Sequence, residues 1–401
     1  MTGEWTLINA DVADALRNLK DNGVDALFCD PPYGFGFMGK AWDYDVPSVE
    51  LWTDALRVLK PGAPLVAFGG SRTYHRLACN VEDAGFELRD CLMWLYSTGF
   101  PKSQNVSLAL DKAAGAERLV VGTRTLVGNC AVSAKDKGGT YGIQVGSAAK
   151  EIPVTSPATE LAKAWDGYGT ALKPAHEPIV LARKPLDGTM AENVARWGVG
   201  GLAIDACRIE GRERTNYGLA GATRTRSVTY GEPTASADFD GSKGRWPANL
   251  LLDEGAAAML NDGSRFFFTS KVSTKEREAG CEALPLRSVR EMTDRDDGTA
   301  GLASPRAGAG RGGGARNHHP TLKPIALTTW LARFILPPSP GMILVPFSGA
   351  GSEMIGCLRA GWPKVVGIER DPEYAAIARA RLSHWIHDYP ANDDGQQGTL
   401  F

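Results

Sequence analysis

Both ends of this chain alternate short apolar runs with stretches whose apolar residues recur every third or fourth position, and the two periodicities predict strands and helices in turn. Near the start, WTLIN (Trp5 to Asn9) reads as a strand, VADALRNLK (Val12 to Lys20) as a helix and DALFC (Asp25 to Cys29) as a second strand. SVELWTDALRVLK (Ser48 to Lys60) reads as a helix closed by Pro61-Gly62 ahead of the strand APLVAFGG (Ala63 to Gly70). The far end repeats the theme with the strand GMILVPF (Gly341 to Phe347), the helix EMIGCLRAG (Glu353 to Gly361), the strand KVVGIE (Lys364 to Glu369) and the helix PEYAAIARARLSHWI (Pro372 to Ile386). Between about Lys102 and His318 the pattern breaks into loops rich in Gly, Thr, Ser and Arg. Only short apolar islands interrupt them, such as PIVLA (Pro178 to Ala182), NLLL (Asn249 to Leu252) and RFFFTS (Arg265 to Ser270).

Neither terminal piece alone has enough strands for a covered, doubly wound sheet, so both are expected in one parallel α/β sheet with the middle inserted between them. At 43% hydrophobic and 22% charged, the 401 residues have the composition of a soluble globular protein. No apolar run approaches the length of a membrane helix and no signal-peptide pattern opens the chain, so the expected location is cytoplasmic. The seven cysteines are widely spaced with no Cys-x-x-Cys pair, which reads as reduced core thiols and no metal site. A net charge of −2 does not announce a nucleic-acid partner, so any such role must rest on local patches.

VPFSGAGSEMIG (Val345 to Gly356) places Gly349 and Gly351 between a strand and a helix, where glycines let a ligand approach the backbone and the helix start offers free N–H groups. A dinucleotide fingerprint would want a small residue where Met354 stands, and no phosphate-loop Lys-Ser/Thr follows, so nicotinamide and ATP readings weaken. Eighteen residues after Gly351, Glu369 ends the next strand, where a carboxylate can accept from two ribose hydroxyls. A nucleoside without a pyrophosphate fits best; an ordinary strand-turn-helix is the other reading of the loop.

In LFCDPPYGF (Leu27 to Phe35), two prolines remove N–H donors and leave carbonyls, Asp30 adds acceptors and Tyr33 a flat ring. An exocyclic amine on a base has two donors and a π-face, which Asp30, the Pro31 carbonyl and Tyr33 together match. A plain Pro-Pro turn capped by Asp30 is the alternative.

Taken together, DPPY (Asp30 to Tyr33), HPTLKP (His319 to Pro324) and PFSGAGS (Pro346 to Ser352) resemble the amino-group DNA methyltransferases that use S-adenosylmethionine, in the order that puts the catalytic motif before the cofactor motif. FMGKAWD (Phe37 to Asp43), FGGSRTYHRLACNVEDAGFE (Phe68 to Glu87), GFPKSQNVS (Gly99 to Ser107) and GIERDPEYAAIARARL (Gly367 to Leu382) are similar to a subgroup common in bacteria and their phages. The resemblance implies a Rossmann-like sheet, circularly permuted in motif order, with a large irregular insertion. Its catalytic half would be 1–115, the insertion or target-recognition region 116–317 with part near 173–185 returning to the core sheet, the cofactor half 318–388, and 389–401 a flexible tail. It implies catalytic roles for Asp30, Pro31, Pro32 and Tyr33. Phe347, Ser348, Gly349, Gly351 and Ser352 would shape the cofactor loop, Glu369 hold the ribose, Asp11 the adenine of the cofactor, and Thr321 and Lys323 its methionine end. Val345 and Glu353 depart from the Asp and Thr that relatives carry there. The activity implied is methylation of adenine N6 in double-stranded DNA; cytosine N4, whose enzymes more often have Ser in place of Asp30, and a non-catalytic DNA-binding relative are the alternatives.

Arg214, Arg224 and Arg226, and Arg306, Arg311 and Arg316 in a Gly-rich stretch, are candidate DNA contacts, with solvated loops an equal reading. Lys40 and Trp42 follow the catalytic turn and suit a loop that closes over an extruded base. The adjacent His318 and His319 lack a third ligand, so no metal is assigned. The last residues place Gln397, Leu400 and Phe401 in a spacing that resembles the peptides by which DNA-processing proteins dock on the bacterial sliding clamp, with an accidental terminus an equal reading. A homodimer is the other expected partner.

Overall fold

The computed structural model describes residues 3–36, 43–97, 99, 103–126, 132–135, 141–144, 150–211, 244–270, 274–288, 291 and 314–387. Lys40, Trp42, Arg214, Arg224, Arg226, Arg306, Arg311, Cys130, Gln397, Leu400 and Phe401 lie outside the described residues.

The strands in chain order are β1 (Glu4–Asn9), β2 (Ala26–Cys29), β3 (Pro64–Phe68), β4 (Glu87–Leu95), β5 (Val120–Leu126), β6 (Val132–Lys135), β7 (Tyr141–Gln144), β8 (Lys150–Thr155), β9 (His176–Arg183), β10 (Leu250–Asp253), β11 (Phe268–Ser270), β12 (Met342–Pro346) and β13 (Lys364–Glu369). The chain divides into two compact units. Residues 1–97, 176–285 and 316–401 form the first, and residues 98–175 and 286–315 the second.

The first unit is built on one nine-stranded sheet in the order β1-β13-β12-β2-β3-β9-β4-β10-β11. Every neighbouring pair is parallel except those made by β9, which runs against both β3 and β4. The architecture is therefore α/β and Rossmann-like, with the N-terminal β1 closing on the C-terminal β13. Alternate residues of β2 serve opposite layers, as buried strands between two helical covers must. Ala26 and Phe28 belong to the core that holds Trp330, Leu331 and Met354, whereas Leu27 and Cys29 belong to the one that holds Leu16, Trp52 and Leu77. The terminal strands fall where apolar periodicity places them. NLLL and RFFFTS are too short to announce themselves in a glycine-rich context; parallel pairing of the first on β4 and of the second on the first makes them β10 and β11.

The second unit pairs β5 with β8 and β6 with β7, all antiparallel. Its buried anchor is Asp111 on the helix Val106–Ala113, which accepts from Arg118 at 3.1 Å and from the Thr159 hydroxyl at 2.8 Å.

The expectation that the cysteines are core residues holds for Cys29, Cys207, Cys281 and Cys357, but Cys91 is half-buried and Cys79 is exposed on the outer face of the helix Tyr74–Asp83. Among the described residues no helix is long and apolar enough to cross a membrane.

One carboxylate stitches the two terminal segments at the amino end of the sheet. The buried Asp25 accepts from the Met342 backbone N–H at 2.6 Å and from the Lys60 ammonium at 2.6 Å. Asp25→Ala should cost about 2–3 kcal/mol, because the donors of a charge-assisted hydrogen-bond set are left unpaired. The midpoint of urea unfolding checks this; an unchanged midpoint would refute it.

Candidate active site

At β2 and β12 the chain leaves two neighbouring strands in opposite directions, β2 leading to β3 and β12 to β13. Side chains beyond the carboxyl ends of such a pair border a crevice, the place where open α/β sheets bind ligands. Asp30 is the first residue after β2 and Phe347 the first after β12.

The loop after β12 is held in a shape few sequences permit. Phe347 has φ 58°, Gly349 φ 50° and Gly351 φ 80°, the last capping the helix Ser352–Ala360. A Cβ on Gly349 would come 2.7 Å from His319 Nε2, so glycine is needed there for close approach as well as for its backbone angle. Glu369, nearly buried at the end of β13, accepts from the Gly349 N–H at 2.8 Å and the Asp371 N–H at 2.7 Å. Burial raises its carboxyl pKa and those backbone donors oppose the rise. The Ser348 hydroxyl donates to the Val345 carbonyl at 2.8 Å, and the buried Arg381 donates to the Ala350 carbonyl at 2.5 Å and the Ser352 hydroxyl at 3.1 Å. Asp11 caps the helix Val12–Arg17 by accepting from Ala13 N–H at 2.9 Å, with its carboxylate exposed beside the end of β13.

The turn after β2 is wrapped around another carboxylate. The buried Asp43 accepts from the backbone N–H groups of Tyr33 at 2.6 Å, Gly34 at 3.1 Å and Phe35 at 3.3 Å. The Thr73 hydroxyl donates to the Tyr33 carbonyl at 2.5 Å, and the Phe35 ring meets the Tyr33 ring edge-on at 5.9 Å. These contacts aim the Tyr33 ring and the Asp30 carboxylate from a rigid backbone.

Asp30 does not stand alone. Its Oδ1 accepts from the Tyr33 hydroxyl at 2.8 Å and its Oδ2 from the Lys323 ammonium at 2.5 Å. Glu177 Oε2 lies 3.1 Å from the same hydroxyl and 3.3 Å from the same ammonium. The ammonium, 4% exposed, also sits over the rings of Phe68 at 4.6 Å and Tyr33 at 5.4 Å. Burial by itself would lower the Lys323 pKa, but Asp30, Glu177 and Glu353 outweigh it and hold the group charged. Burial, then the charges of Asp30 and Glu177, push the Tyr33 phenol well up, so it stays a donor. Burial also pushes the Glu353 carboxyl up to about 7, with the Asp30 charge adding and Lys323 opposing. His319 is driven down to about 4 by burial and is neutral at physiological pH.

The structure thus brings Asp30, Tyr33 and Lys323 into one cluster, and Phe347, Ser348, Gly349, Gly351, Ser352 and Glu369 into one loop system. Pro31 is buried and Pro32 partly so. Lys323, expected at the methionine end of a cofactor, is paired with Asp30 where three carboxylates converge at the end of its stem. Thr321 is exposed, and its carbonyl contacts His319 Nδ1. His318 pairs with Glu373 at 3.3 Å, and among the described residues no cluster of His, Cys, Asp and Glu is fit to hold a metal ion. Arg316 points inward to the Leu284 carbonyl. Glu177 went unnoticed in the sequence. It follows His176 at the start of an apolar run, and only the reversed direction of β9 carries its first residues to the edge where β2 and β3 end.

No known family profile matches the chain. The type II methyltransferase M.HpaI of Haemophilus parainfluenzae is 28% identical over 109 residues, which make up 25% of this chain and 35% of that protein. The chain therefore spans about a third of the length of that curated relative. Among solved structures, the M1.HpyAVI-SAM complex has a TM-score of 0.40 at 14% identity, covering 94% of this chain and 99% of the other. PvuII DNA methyltransferase (cytosine-N4-specific) has a TM-score of 0.43 at 13% identity, covering 95% and 87%. TTHA0409 from Thermus thermophilus, complexed with S-adenosyl-L-methionine, has a TM-score of 0.39 at 14% identity, covering 96% of each.

Glu353 gives the cluster a testable pH dependence. An unfolded glutamate titrates near ~4.3, whereas the folded group holds its proton up to about 7. Between those values the folded chain keeps a proton that the unfolded chain has lost, so this group's contribution falls as pH rises through the window. Glu353→Gln cannot ionise, and its Tm relative to the parent should be higher at about pH 8 than at about pH 5. Scanning calorimetry at the two values checks it; the same difference at both would show that Glu353 is ionised throughout.

Proposed function

We propose that this chain is an S-adenosylmethionine-dependent DNA methyltransferase that methylates the exocyclic N6 of an adenine turned out of double-stranded DNA. The observation that carries the proposal is the convergence of an acceptor-rich Asp-Pro-Pro-Tyr turn and a glycine loop latched to Glu369 at one switch point of the sheet. The short match to a protein named a methyltransferase agrees with it.

The donor set fits the cofactor. Each Glu369 oxygen accepts one backbone N–H, which leaves a lone pair on each for a ribose hydroxyl. Gly349 and Gly351 let the loop pack against His319 and Ala378, where a Cβ would collide. When bound, S-adenosylmethionine supplies an electrophilic methyl group on a sulfonium. Asp30 and the Pro31 carbonyl would accept the two hydrogens of the amine, drawing its nitrogen out of conjugation with the ring so that the lone pair can attack. Tyr33 offers a face on which a base can stack, which offsets part of the few kcal/mol that unstacking costs. Asp30 in place of Ser favours adenine over cytosine N4.

Asp30→Ala should lower methyl transfer by at least about 10²-fold while S-adenosylmethionine still binds, since the carboxylate acts mainly in the transition state. Mass spectrometry of nucleosides from treated DNA should show N6-methyladenine. N4-methylcytosine alone would overturn the choice of base, and near-normal turnover of the variant would overturn the role of Asp30. Glu369→Ala should weaken S-adenosylmethionine by about 1–3 kcal/mol in calorimetry, because ribose hydroxyls lose acceptors and the Gly349 N–H loses its latch. Unchanged affinity would leave Glu369 a purely structural strand end.

A further inference from the structure

We infer that Glu177 is an exchange acceptor: it takes over the Tyr33 hydroxyl and the Lys323 ammonium when the target base enters, and so leaves the charge of Asp30 to the amine hydrogen it accepts. The inference rests on the methyltransferase reading and adds to it a positioning residue on β9.

The use for such a residue follows from what already loads Asp30. In the structure both Asp30 oxygens are engaged, Oδ1 by Tyr33 at 2.8 Å and Oδ2 by Lys323 at 2.5 Å. Each oxygen keeps a lone pair, but a carboxylate already neutralised by an ammonium and bonded by a phenol is a weaker acceptor for an amine hydrogen. The Tyr33 hydroxyl has one hydrogen and lies 2.8 Å from Asp30 and 3.1 Å from Glu177, so it can serve only one at a time. The ammonium has three hydrogens and lies 3.3 Å from the same Glu177 atom. Both groups that occupy Asp30 therefore have their second partner in one oxygen, Glu177 Oε2. The hydroxyl changes partners by turning its hydrogen, and the ammonium by a short shift toward Glu177.

Charge points the same way. While the ammonium sits on Asp30 it opposes any positive charge that develops on an attacking amine, and it repels a sulfonium. Lys323 cannot simply turn out to water, because it is 4% exposed and the rings of Phe68 and Tyr33 flank it. Moving a buried cation without a waiting counter-charge is costly. Glu177 is that counter-charge, with Glu353 behind it on the helix Ser352–Ala360 and Tyr96 beside it.

The test uses Glu177→Gln, which keeps the size and removes the charge. Single-turnover methylation of DNA should fall on the order of tenfold or more, with S-adenosylmethionine affinity by calorimetry unchanged. Glu177→Asp, which keeps the charge, should restore most of the rate. A parental rate in Glu177→Gln, no recovery in Glu177→Asp, or loss of cofactor binding would each overturn the inference. A parent enzyme that methylates no DNA would retire the methyltransferase reading itself, whereas a fully active Glu177→Gln retires this inference alone.

Discussion

The pairing of β2 with β12 is the constraint on which the rest of the first unit depends. It joins segments more than three hundred residues apart in the chain, through Ile343 opposite Ala26 and Leu344 opposite Leu27. Because the pairing is parallel, both strands end at the same edge, and the two segments richest in chemistry leave from neighbouring points. A one-residue slip in either strand would exchange its buried faces and turn the residues that follow it. Asp25 at the opposite end guards against that slip, since its carboxylate bridges Met342 and Lys60 only in the observed register. The site is thus positioned by a stability feature at the other end of the strand pair.

Three carboxylates around one ammonium in a largely dry place would be an expensive arrangement if its only role were to hold the fold. Asp30, Glu177 and Glu353 bear on Lys323, and if all three were ionised the cluster would carry a surplus of negative charge. Burial resolves the surplus by keeping a proton on Glu353 up to about pH 7. What remains is one cation shared by two carboxylates, with a tyrosine hydroxyl shared by the same two. Such a set has two nearly equivalent arrangements, which is a property of a site that must open for a guest.

Much of this was legible in the residues, and the exceptions have physical reasons. The Asp30 to Tyr33 turn and the Gly349-Ala350-Gly351 loop stand out because their chemistry is local: fixed backbone angles, missing donors and a strand before each. Glu369 could be read from its distance along the chain because a strand-helix-strand unit has a narrow range of lengths. Glu177 could not. Its place depends on β9 running antiparallel in an otherwise parallel sheet, and nothing within HEPIVLA states a direction. Lys323 stood out in the sequence but its pairing with Asp30 did not, because a motif names residues without naming what faces them. The strands β10 and β11 were hidden by brevity, since three or four residues become a strand only when a neighbour offers an edge, β4 for β10 and β10 for β11.

Glu353 shows how a departure from a family pattern can be argued physically. A hydroxyl-bearing side chain at the start of a helix would satisfy itself locally and add no charge. A carboxyl there lies near the positive end of the helix, which favours its ionised form, yet burial and Asp30 favour the neutral one. The balance settles on a proton that is held up to neutral pH and lost in mild alkali. If Asp30 takes up the proton that a methylated amine must lose, its negative field on Glu353 disappears and Glu353 becomes easier to ionise. The same acid that is neutral in the resting cluster can then share the displaced cation with Glu177. The departure at Glu353 and the unexpected placement of Lys323 are two sides of one charge arrangement.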